Sequence, residues 1–302
     1  MSDLAVVDVS ICIVSNNTLH YLRGCLQSIA EHPPALAAEI IITDNGSTDG
    51  TQAMLQSEFP AVQLIQNTQD EGFTRPTNQA MRQAVGRYVL LLNPDTIIFP
   101  GAIDTLVQFM EGHPQVGICG PKVLNRDGTL QKPCRRGVAR PWAAFAYHTG
   151  LAKLFPKSKF FNGYLLTHLD EDETNPVDGV SGSCMLIRRA VIDQIGYFDE
   201  RYFAYQEDAD YCFQAQKAGW QIYYVPAARI THYGGQGGSL HRPYRAIYEW
   251  HRSYYLYYRK NLARDYFFLF NGFYYALMGL RLLLALLFNL LRKRKSAGPS
   301  RG

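Results

Sequence analysis

Apolar runs of strand length alternate with stretches of helical periodicity in the first third of this 302-residue chain. Residues 9–14 (VSICIV) are apolar and β-branched, and beyond a polar break the apolar positions Leu22, Leu26 and Ile29 follow with helical spacing. The same alternation predicts strands at residues 39–43, 62–66 and 88–92, and helices at 19–29, 50–59 and 78–85. Strands that alternate with helices indicate a largely parallel sheet, whose ligands collect where the strands end.

The pattern becomes mixed beyond residue 120. Residues 122–140 are basic and rich in turn formers, and residues 142–178 are irregular, which predicts a mobile loop or small helices. Regular spacing then predicts strands at 183–188 and 222–225 and helices at 190–195 and 208–218. We therefore expect one α/β domain over residues 1–240, built from halves at 9–120 and 121–240, then a helical tail at 241–295 and a disordered end at 296–302.

An apolar segment at residues 266–291 is long enough to cross a bilayer, at about 20 residues per span. Arg281 interrupts this segment, and a charge near the centre of a lone span costs on the order of 3 kcal/mol. Tyrosines and flanking basic residues favour a helix in the membrane interface or a re-entrant segment. A true span, a buried helix and an oligomer contact through the C-terminal helices stay open as alternatives.

Basic residues surround the apolar segment, and the chain carries a formal net charge of +4. Arg259, Lys260 and Arg264 precede the segment, and the run RKRK follows it at 292–295. Beside an apolar run, such clusters indicate an anionic membrane surface as partner and argue against nucleic acid, with a merely solubilising basic end as the alternative. Because the N-terminus lacks a secretory pattern, we expect a peripheral or monotopic protein at the cytoplasmic face of the cell membrane.

The cysteines give no sign of a metal site or of disulfide bonds. All six lie far apart and none forms a C-x-x-C pair, so reduced intracellular thiols are the simplest interpretation. The composition, with 47% hydrophobic and 19% charged residues, excludes a disordered chain.

Polar side chains follow the second predicted strand. Asp44 and Asn45 end that strand, where a carboxylate can accept a hydrogen bond from a nucleobase N–H or a ribose hydroxyl. A tight turn with a helix cap is the alternative, and it explains the following Ser47 and Asp49 better than it explains Asp44.

Two further loops carry candidate ligands. In residues 67–78, Gly72 suits a close backbone approach, Arg75 a phosphate, and Asn78 begins a helix, although each alone is more typical of turn chemistry. Asn93 and Asp95 follow a fully apolar strand, where a carboxylate can hold a divalent ion such as Mg²⁺ against a diphosphate.

Three carboxylates crowd together at Glu207, Asp208 and Asp210, behind an aromatic stretch at 202–205. Adjacent like charges raise one another's pKa unless a cation or separate orientation relieves them. A carboxylate beside a metal-bound diphosphate can stay ionised and act as a general base, whereas a capped helix start is the structural alternative. His232, in the run HYGG, is a candidate second metal ligand.

Taken in order, these clusters resemble the family 2 glycosyltransferases, which have a Rossmann-like nucleotide-sugar fold, and in particular their rhamnosyltransferase-like branch. The resemblance extends over most of the chain, through SICIVSNN, TDNGSTDGT, LLLNPDT, SGSCMLIRR, FAYQEDADYCF and HYGG. It implies a glycosyltransferase A-type domain whose first half binds the donor and whose second half binds the acceptor. The motifs are specific only in combination.

The resemblance also implies roles for individual residues. Asp208, with Glu207, would be catalytic, and Asp95 and His232 would hold Mg²⁺ or Mn²⁺. Gly182, Ser183 and Asp210 would lie near the acceptor. The donor site implied by these motifs comprises Ser15, Asn17, Asp44, Asn45, Gly72, Arg75, Asn78, Asn93 and Asp95.

Three positions depart from the family pattern. Asn93 replaces the first acid of the D-x-D motif and leaves one carboxylate for the metal. Arg75 and Pro76 stand where relatives carry smaller residues, and Gln214 replaces an arginine that often follows the acidic motif. The first departure bears on metal dependence, the second on the donor pocket, and the third on a charge partner of the acidic motif.

The implied reaction is transfer of one sugar, best rhamnose from dTDP-rhamnose, to a hydroxyl of a lipid-linked saccharide in surface polysaccharide synthesis. A single base opposite the leaving diphosphate implies inversion, and the lack of a Q-x-x-R-W stretch argues against a processive synthase. UDP-hexose donors and a non-catalytic, membrane-attached sugar-nucleotide-binding protein are alternatives. A sugar-1-phosphate nucleotidyltransferase fits poorly, because the first loop is SNN and not a glycine-rich basic loop.

Overall fold

The computed structural model describes residues 7–235 and 243–291. Its strands, in chain order, are β1 Val9–Ser15, β2 Ala38–Asn45, β3 Gln63–Asn67, β4 Tyr88–Leu92, β5 Thr96–Ile98, β6 Val116–Leu124, β7 Arg135–Arg136, β8 Asn175–Pro176, β9 Gly179–Val180, β10 Cys184–Arg188 and β11 Gln221–His232. Three segments named in the sequence analysis lie outside the described residues. They are residues 236–238 of the glycine-rich run, the basic residues 292–295 and the end at 296–302.

One central sheet organises the domain, with the strand order β3-β2-β1-β4-β10-β6-β11-β5 and with β8 paired to β11. The first four strands pair in parallel, as predicted from the alternation with helices. The second half is mixed, because β10 runs antiparallel to both β4 and β6 while β6 and β11 are parallel. The α/β fold with a central sheet is thus confirmed, and its parallel part is confined largely to the first half. Strands β7 and β9 form a separate pair.

Helices cover the sheet and close the core. They are α1 Leu19–Glu31, α2 Thr51–Glu58, α3 Thr74–Gln83, α4 Ala102–Gly112, α5 Pro141–Thr149, α6 Leu151–Leu154, α7 Arg189–Ile195, α8 Glu207–Lys217, α9 Pro243–Asn261 and α10 Phe268–Leu291. Apolar residues of the strands and the inner faces of α1, α3 and α4 form the main core. Helices α5 and α6 occupy the segment in which the sequence predicted small helices or a mobile loop.

Strand β11 is longer than the sequence predicted. The apolar pattern ends at Val225 because Pro226 follows it, but the register shifts between Val225 and Arg229 and pairing with β6 then resumes. A bulge of this kind lets a proline sit inside a strand. As a result β11 reaches His232, which lies in register with Thr96 of β5.

Helix α9 connects the second half of the domain to the last helix, α10. At its C-terminal end, Lys260 forms an ion pair with Asp210 of α8 at 2.7 Å, and Asn261 donates a 2.7 Å hydrogen bond to the same carboxylate. Gln214 donates to the Asn261 side-chain oxygen at 2.7 Å. A cationic partner for Asp210 therefore comes from α9, whereas the resemblance placed a cationic partner of the acidic motif at position 214.

The last helix, α10, packs against α9 through a small tyrosine cluster. The hydroxyls of Tyr254 and Tyr274 lie 2.8 Å apart, and Tyr258 donates to Asn271. The rest of α10 is an exposed apolar surface. This helix is 24 residues long, and its most apolar stretch of 18 residues has a mean hydropathy of 1.7 and is 6% buried. By length and composition it qualifies as a candidate membrane-spanning helix.

Candidate active site

A cavity of about 590 Å³ opens at the edge of the sheet where β1, β2 and β4 end. Asn45, Gly72, Asn93 and Asp95 line it from the first half of the chain. The second half contributes Gly182, Ser183, Glu207, Asp208 and His232. Carboxylates that lie more than 100 positions apart in sequence therefore share one chamber, as the strand-end reasoning requires.

Asp95 and His232 face each other at one side of the cavity. The Oδ1 atom of Asp95 lies 3.1 Å from Nε2 of His232, and both side chains are mostly buried. Nδ1 of His232 lies 2.7 Å from Oε1 of Gln131, which can only accept, so Nδ1 carries a proton and Nε2 is the ring nitrogen that faces Asp95. Asn93 Nδ2 is 3.2 Å from the same Nε2.

This pair of ligand atoms suits a divalent cation. At 3.1 Å the two atoms can share a proton, and a carboxylate oxygen and an imidazole nitrogen are also both atom types that Mn²⁺ accepts as ligands. Among the described residues no group of three or more His, Cys, Asp or Glu side chains could hold a metal ion. The residues fit a site that substrate phosphate and water oxygens complete, in keeping with the single carboxylate left by Asn93.

Asp208 is held by three N–H donors at the start of α8. Its Oδ2 accepts from Arg136 Nη2 and, at 2.9 Å, from the Gly182 amide, while Oδ1 accepts from the Ala209 amide at 2.7 Å. A Cβ at position 182 would lie 3.4 Å from the Asp208 Cβ, so glycine there permits the approach. The buried Arg136 guanidinium stabilises the ionised carboxylate, and Oδ1 retains capacity to accept a further proton.

Glu207 differs from its neighbour in its surroundings. Burial, and then the negative charge of Asp208, raise the pKa of Glu207 to about 8. Its Oε2 has no hydrogen-bond partner although it is buried, and the residue lines the cavity. Glu207 therefore keeps its proton to a higher pH than an exposed glutamate and can donate a hydrogen bond to a ligand, while Arg136 and two backbone amides donate to Asp208.

Two strained residues position this pair. Tyr205 and Gln206 have φ of 69° and 63°, a left-handed conformation that non-glycine residues rarely adopt. They reverse the chain so that α8 begins inside the cavity. Opposite them, a Cβ on Gly72 would lie 2.3 Å from the Phe203 carbonyl oxygen, so the close backbone approach that the sequence suggested at Gly72 is present.

Four predicted donor residues and the predicted acceptor residue Asp210 do not line the cavity, because their polar groups are used elsewhere. Ser15 is buried against Thr18 at 2.8 Å, and Asn17 fastens its loop through the Thr48 amide at 2.8 Å. Arg75 is half exposed and pairs with Glu200 at 3.4 Å. Asn78 bridges to the backbone at Phe198, and Asp210 is engaged by Lys260.

Asp44 occupies an intermediate position. It is fully buried and does not line the described cavity, although the adjacent Asn45 does. Oδ2 accepts hydrogen bonds from Gln52 Nε2 at 2.7 Å and from the Ser47 amide at 3.3 Å. Oδ1 has no partner, and a buried unpaired carboxylate oxygen is costly unless a ligand supplies a donor.

Sequence reasoning missed much of the cavity wall. Arg136 gave no local signal beyond a basic, turn-rich stretch, because its role depends on the β7–β9 pair that carries it to Asp208. Four further lining residues that the sequence did not single out form an aromatic wall from α5 and α9: Tyr147, His148, Trp250 and Tyr254. The aromatic periodicity of α9 was visible in the sequence, but nothing indicated which way that helix faces.

Residues 7–267 match the protein family described as Glycosyltransferase like family 2. The chain belongs to glycosyltransferase family 2. The resemblance drawn from the motifs is thereby confirmed, together with the prediction of a glycosyltransferase domain.

Curated relatives narrow the comparison within family 2. The chain is 33% identical over 205 residues to an N-acetylglucosaminyl-diphospho-decaprenol L-rhamnosyltransferase of Mycobacterium tuberculosis, a match that covers 64% of this chain and 66% of that protein. It is 27% identical over 245 residues to rhamnosyltransferase WbbL of Escherichia coli K12, covering 74% and 83%, respectively. Just under two thirds of the mycobacterial protein is thus spanned.

Solved structures support the fold. A mannosyltransferase of Pyrobaculum calidifontis in complex with GDP-Man and Mn²⁺ superposes with a TM-score of 0.58 at 16% identity, covering 85% of this chain and 64% of that one. A Staphylococcus aureus TarS fragment in complex with UDP-GlcNAc gives 0.59 at 17% identity, covering 83% and 65%. At these identities the likeness concerns the fold alone.

Proposed function

We propose that this family 2 protein is an inverting, non-processive glycosyltransferase that moves a sugar from a nucleotide-sugar to a hydroxyl of a lipid-linked saccharide. The proposal depends on the cavity that Asp95 and Asp208 share. In that cavity, a carboxylate that can hold a metal ion against the donor diphosphate and a candidate general base face the same substrate. Rhamnose from dTDP-rhamnose is the preferred donor, because two curated relatives are named rhamnosyltransferases. UDP-hexoses are the alternative donors.

The donor would bind along the ends of β1, β2 and β4. The unpaired Oδ1 of Asp44 would accept a base N–H once the nucleotide is bound, and Asn45, Gly72 and Asn93 would line the path of the ribose and diphosphate. Asp95 and His232 would hold Mg²⁺ or Mn²⁺. When bound, such a cation supplies charge neutralisation to the departing diphosphate.

Asp208 would remove the acceptor proton. The hydroxyl oxygen attacks the anomeric carbon, its proton passes to Oδ1 of Asp208, and the bond to the donor phosphate oxygen breaks with its electron pair leaving on the nucleoside diphosphate. With a single base opposite the leaving diphosphate, a direct displacement with inversion needs no covalent sugar intermediate. Glu207, which keeps its proton to a higher pH than an exposed glutamate, would orient the acceptor by donating a hydrogen bond.

Membrane attachment through α10 completes the proposal. Its exposed apolar surface would lie on the cytoplasmic face of the membrane, where a saccharide on a lipid carrier could enter the cavity. Gly182 and Ser183 then mark the side of the cavity nearest the acceptor hydroxyl.

A donor panel tests the function directly. Purified protein in nonionic detergent is incubated with dTDP-rhamnose, UDP-glucose, UDP-N-acetylglucosamine and GDP-mannose, with a lipid-linked saccharide, and with Mg²⁺, Mn²⁺ or EDTA. We expect metal-dependent transfer from one donor and an inverted anomeric configuration in the product. Donor turnover that persists unchanged in Asp208→Asn would remove the assigned base, and a retained configuration would contradict the displacement.

A further inference from the structure

Arg281 sits where the apolar helix α10 meets the catalytic cavity. Counting at 1.5 Å per residue, it lies about 20 Å along the helix from Phe268. Its guanidinium carbon is 4.7 Å from the centre of the Trp250 ring, and Nη1 donates to Nε2 of His148 at 2.7 Å. Since His148 and Trp250 both line the cavity, the charge within the apolar helix points toward the catalytic domain.

The immediate partners of Arg281 leave its positive charge uncompensated. Among residues 7–235 and 243–291, no carboxylate forms an ion pair with it, and its titratable neighbours are His148, His251 and the tyrosines Tyr147, Tyr254 and Tyr274. Burial, followed by the charge of Arg281, lowers the pKa of His148 to about 4, so this histidine is neutral at physiological pH. A half-buried guanidinium held between a neutral imidazole and an indole face is a preorganised receptor for an anion.

The surroundings specify what kind of anion fits. One to two turns from Arg281 on the same face of the helix, Leu277, Leu284 and Phe288 are 42% to 80% exposed and form an apolar surface. Beyond His148 and Trp250, the lining of the same cavity includes Gly182 and Asp208. A ligand that satisfies all three regions has an apolar chain, an anionic group at Arg281 and a polar head inside the cavity.

We infer that Arg281, fixed by His148 and Trp250, binds the diphosphate of a polyprenyl-diphosphate-linked acceptor, whose prenyl chain lies along α10 and whose sugar extends toward Asp208. The inference rests on the proposed function for the identity of the sugar head. Nη1 and Nη2 of Arg281 each contact a ring nitrogen of His148, at 2.7 and 3.2 Å, which leaves the Nε–H and one further N–H on each Nη to donate to phosphate oxygens.

Direct binding tests the site without turnover. Farnesyl diphosphate is titrated by calorimetry into the full chain in dodecyl maltoside with EDTA, so that metal-dependent binding on the donor side is suppressed. We expect Arg281→Gln to weaken binding by about tenfold or more, the factor carried by a charge-assisted contact. Farnesol, which lacks the diphosphate, should bind equally to wild type and variant. Equal affinity of both proteins for farnesyl diphosphate, or no binding to wild type, overturns the inference.

Matched controls separate charge from position. Arg264→Gln removes an exposed positive charge at the foot of α10 and should bind farnesyl diphosphate like wild type. His148→Ala keeps the charge of Arg281 but releases its guanidinium, and we expect an intermediate affinity; this variant also decides the matter if Arg281→Gln does not fold. Phosphatidylglycerol that displaces farnesyl diphosphate equally well would reassign the site to a membrane headgroup and reject the acceptor.

Kinetics distinguish failure of this site from failure of the proposed function. With a lipid-diphosphate acceptor, Arg281→Gln should raise KM about tenfold with little change in kcat, whereas a phosphate-free alkyl glycoside acceptor should show no difference. If lipid binding depends on Arg281 but no nucleotide-sugar supports transfer, the anion site is supported and the proposed transferase function is contradicted. If transfer occurs and the KM for the lipid-diphosphate acceptor is unchanged in the variant, only the anion site is contradicted.

Discussion

Replacing Glu207 by Gln should change how the stability of the fold depends on pH. Glu207 is 7% exposed, and its pKa is raised to about 8 from an ordinary value of 4.5. The folded protein therefore holds this proton over a range in which the unfolded chain has released it. The contribution to stability is full below about pH 4.5 and is lost as the pH rises through about 8.

The magnitude follows from the linkage between proton binding and folding. Between pH 5 and pH 8 the free energy of unfolding of wild type should fall by on the order of 1 kcal/mol per pH unit relative to Glu207→Gln, which has no proton to lose. The variant should thus gain a few kcal/mol over wild type between pH 5 and pH 8. Burying the amide of the variant can also change its free energy of unfolding by an amount that does not depend on pH. Such a change would shift the whole curve of unfolding free energy against pH without changing its slope.

Urea unfolding followed by tryptophan fluorescence in nonionic detergent, at half-unit steps from pH 5 to pH 8.5, measures this difference. Glu173→Gln, at an exposed position, is the matched control and should track wild type at every pH. Parallel curves for wild type and Glu207→Gln would refute the reasoning, because they would mean that Glu207 is already ionised at pH 5 in the folded protein.

Four other predictions follow from the site and its supports. Asp208→Asn should lower kcat by about 10² to 10⁴ while calorimetry finds nucleotide affinity unchanged; comparable turnover would exclude it as base. Asn93→Asp, which restores a second acid, should tighten Mn²⁺ binding on the order of tenfold by electron paramagnetic resonance, and unchanged affinity would place the metal elsewhere. Lys260→Met leaves Asp210 buried without its cation and should cost roughly 3 kcal/mol in urea unfolding, whereas an unchanged midpoint would show the pair to be solvated. Leu284→Glu, on the exposed side of α10, should reduce vesicle co-sedimentation at least tenfold, and full retention would show that this surface does not meet lipid.

The first half of the fold was predictable because its signals are local. Strands β1, β2 and β4 each contain a continuous apolar run, whereas β3 has only Leu64 and Ile65. Polar residues end or follow these strands, and the sheet collects them at one edge. Asn45, Asn93 and Asp95 could be placed there without coordinates, since only the direction of the strands is needed.

The rest depends on contacts between distant segments. His232 approaches Asp95 only because a bulge carries β11 past Pro226, and the apolar pattern gives no sign that pairing resumes. Arg136 reaches Asp208 across a two-stranded pair too short to leave a periodic signal. Arg75 and Asn78 occupy suggestive positions in sequence, but ion pairs and backbone bridges to residues 198–200 direct them away from the cavity.

Helix α9 has a consequence for how such proteins can diversify. The same helix supplies Trp250 to the chamber, clamps the acidic helix through Lys260 and carries the tyrosines on which α10 rests. The candidate membrane helix and the cavity are therefore joined through one continuous helix. Replacing α10 by the corresponding helix of another protein should alter the cavity wall as well, so we expect acceptor preference and the sequence of α10 to vary together among related proteins.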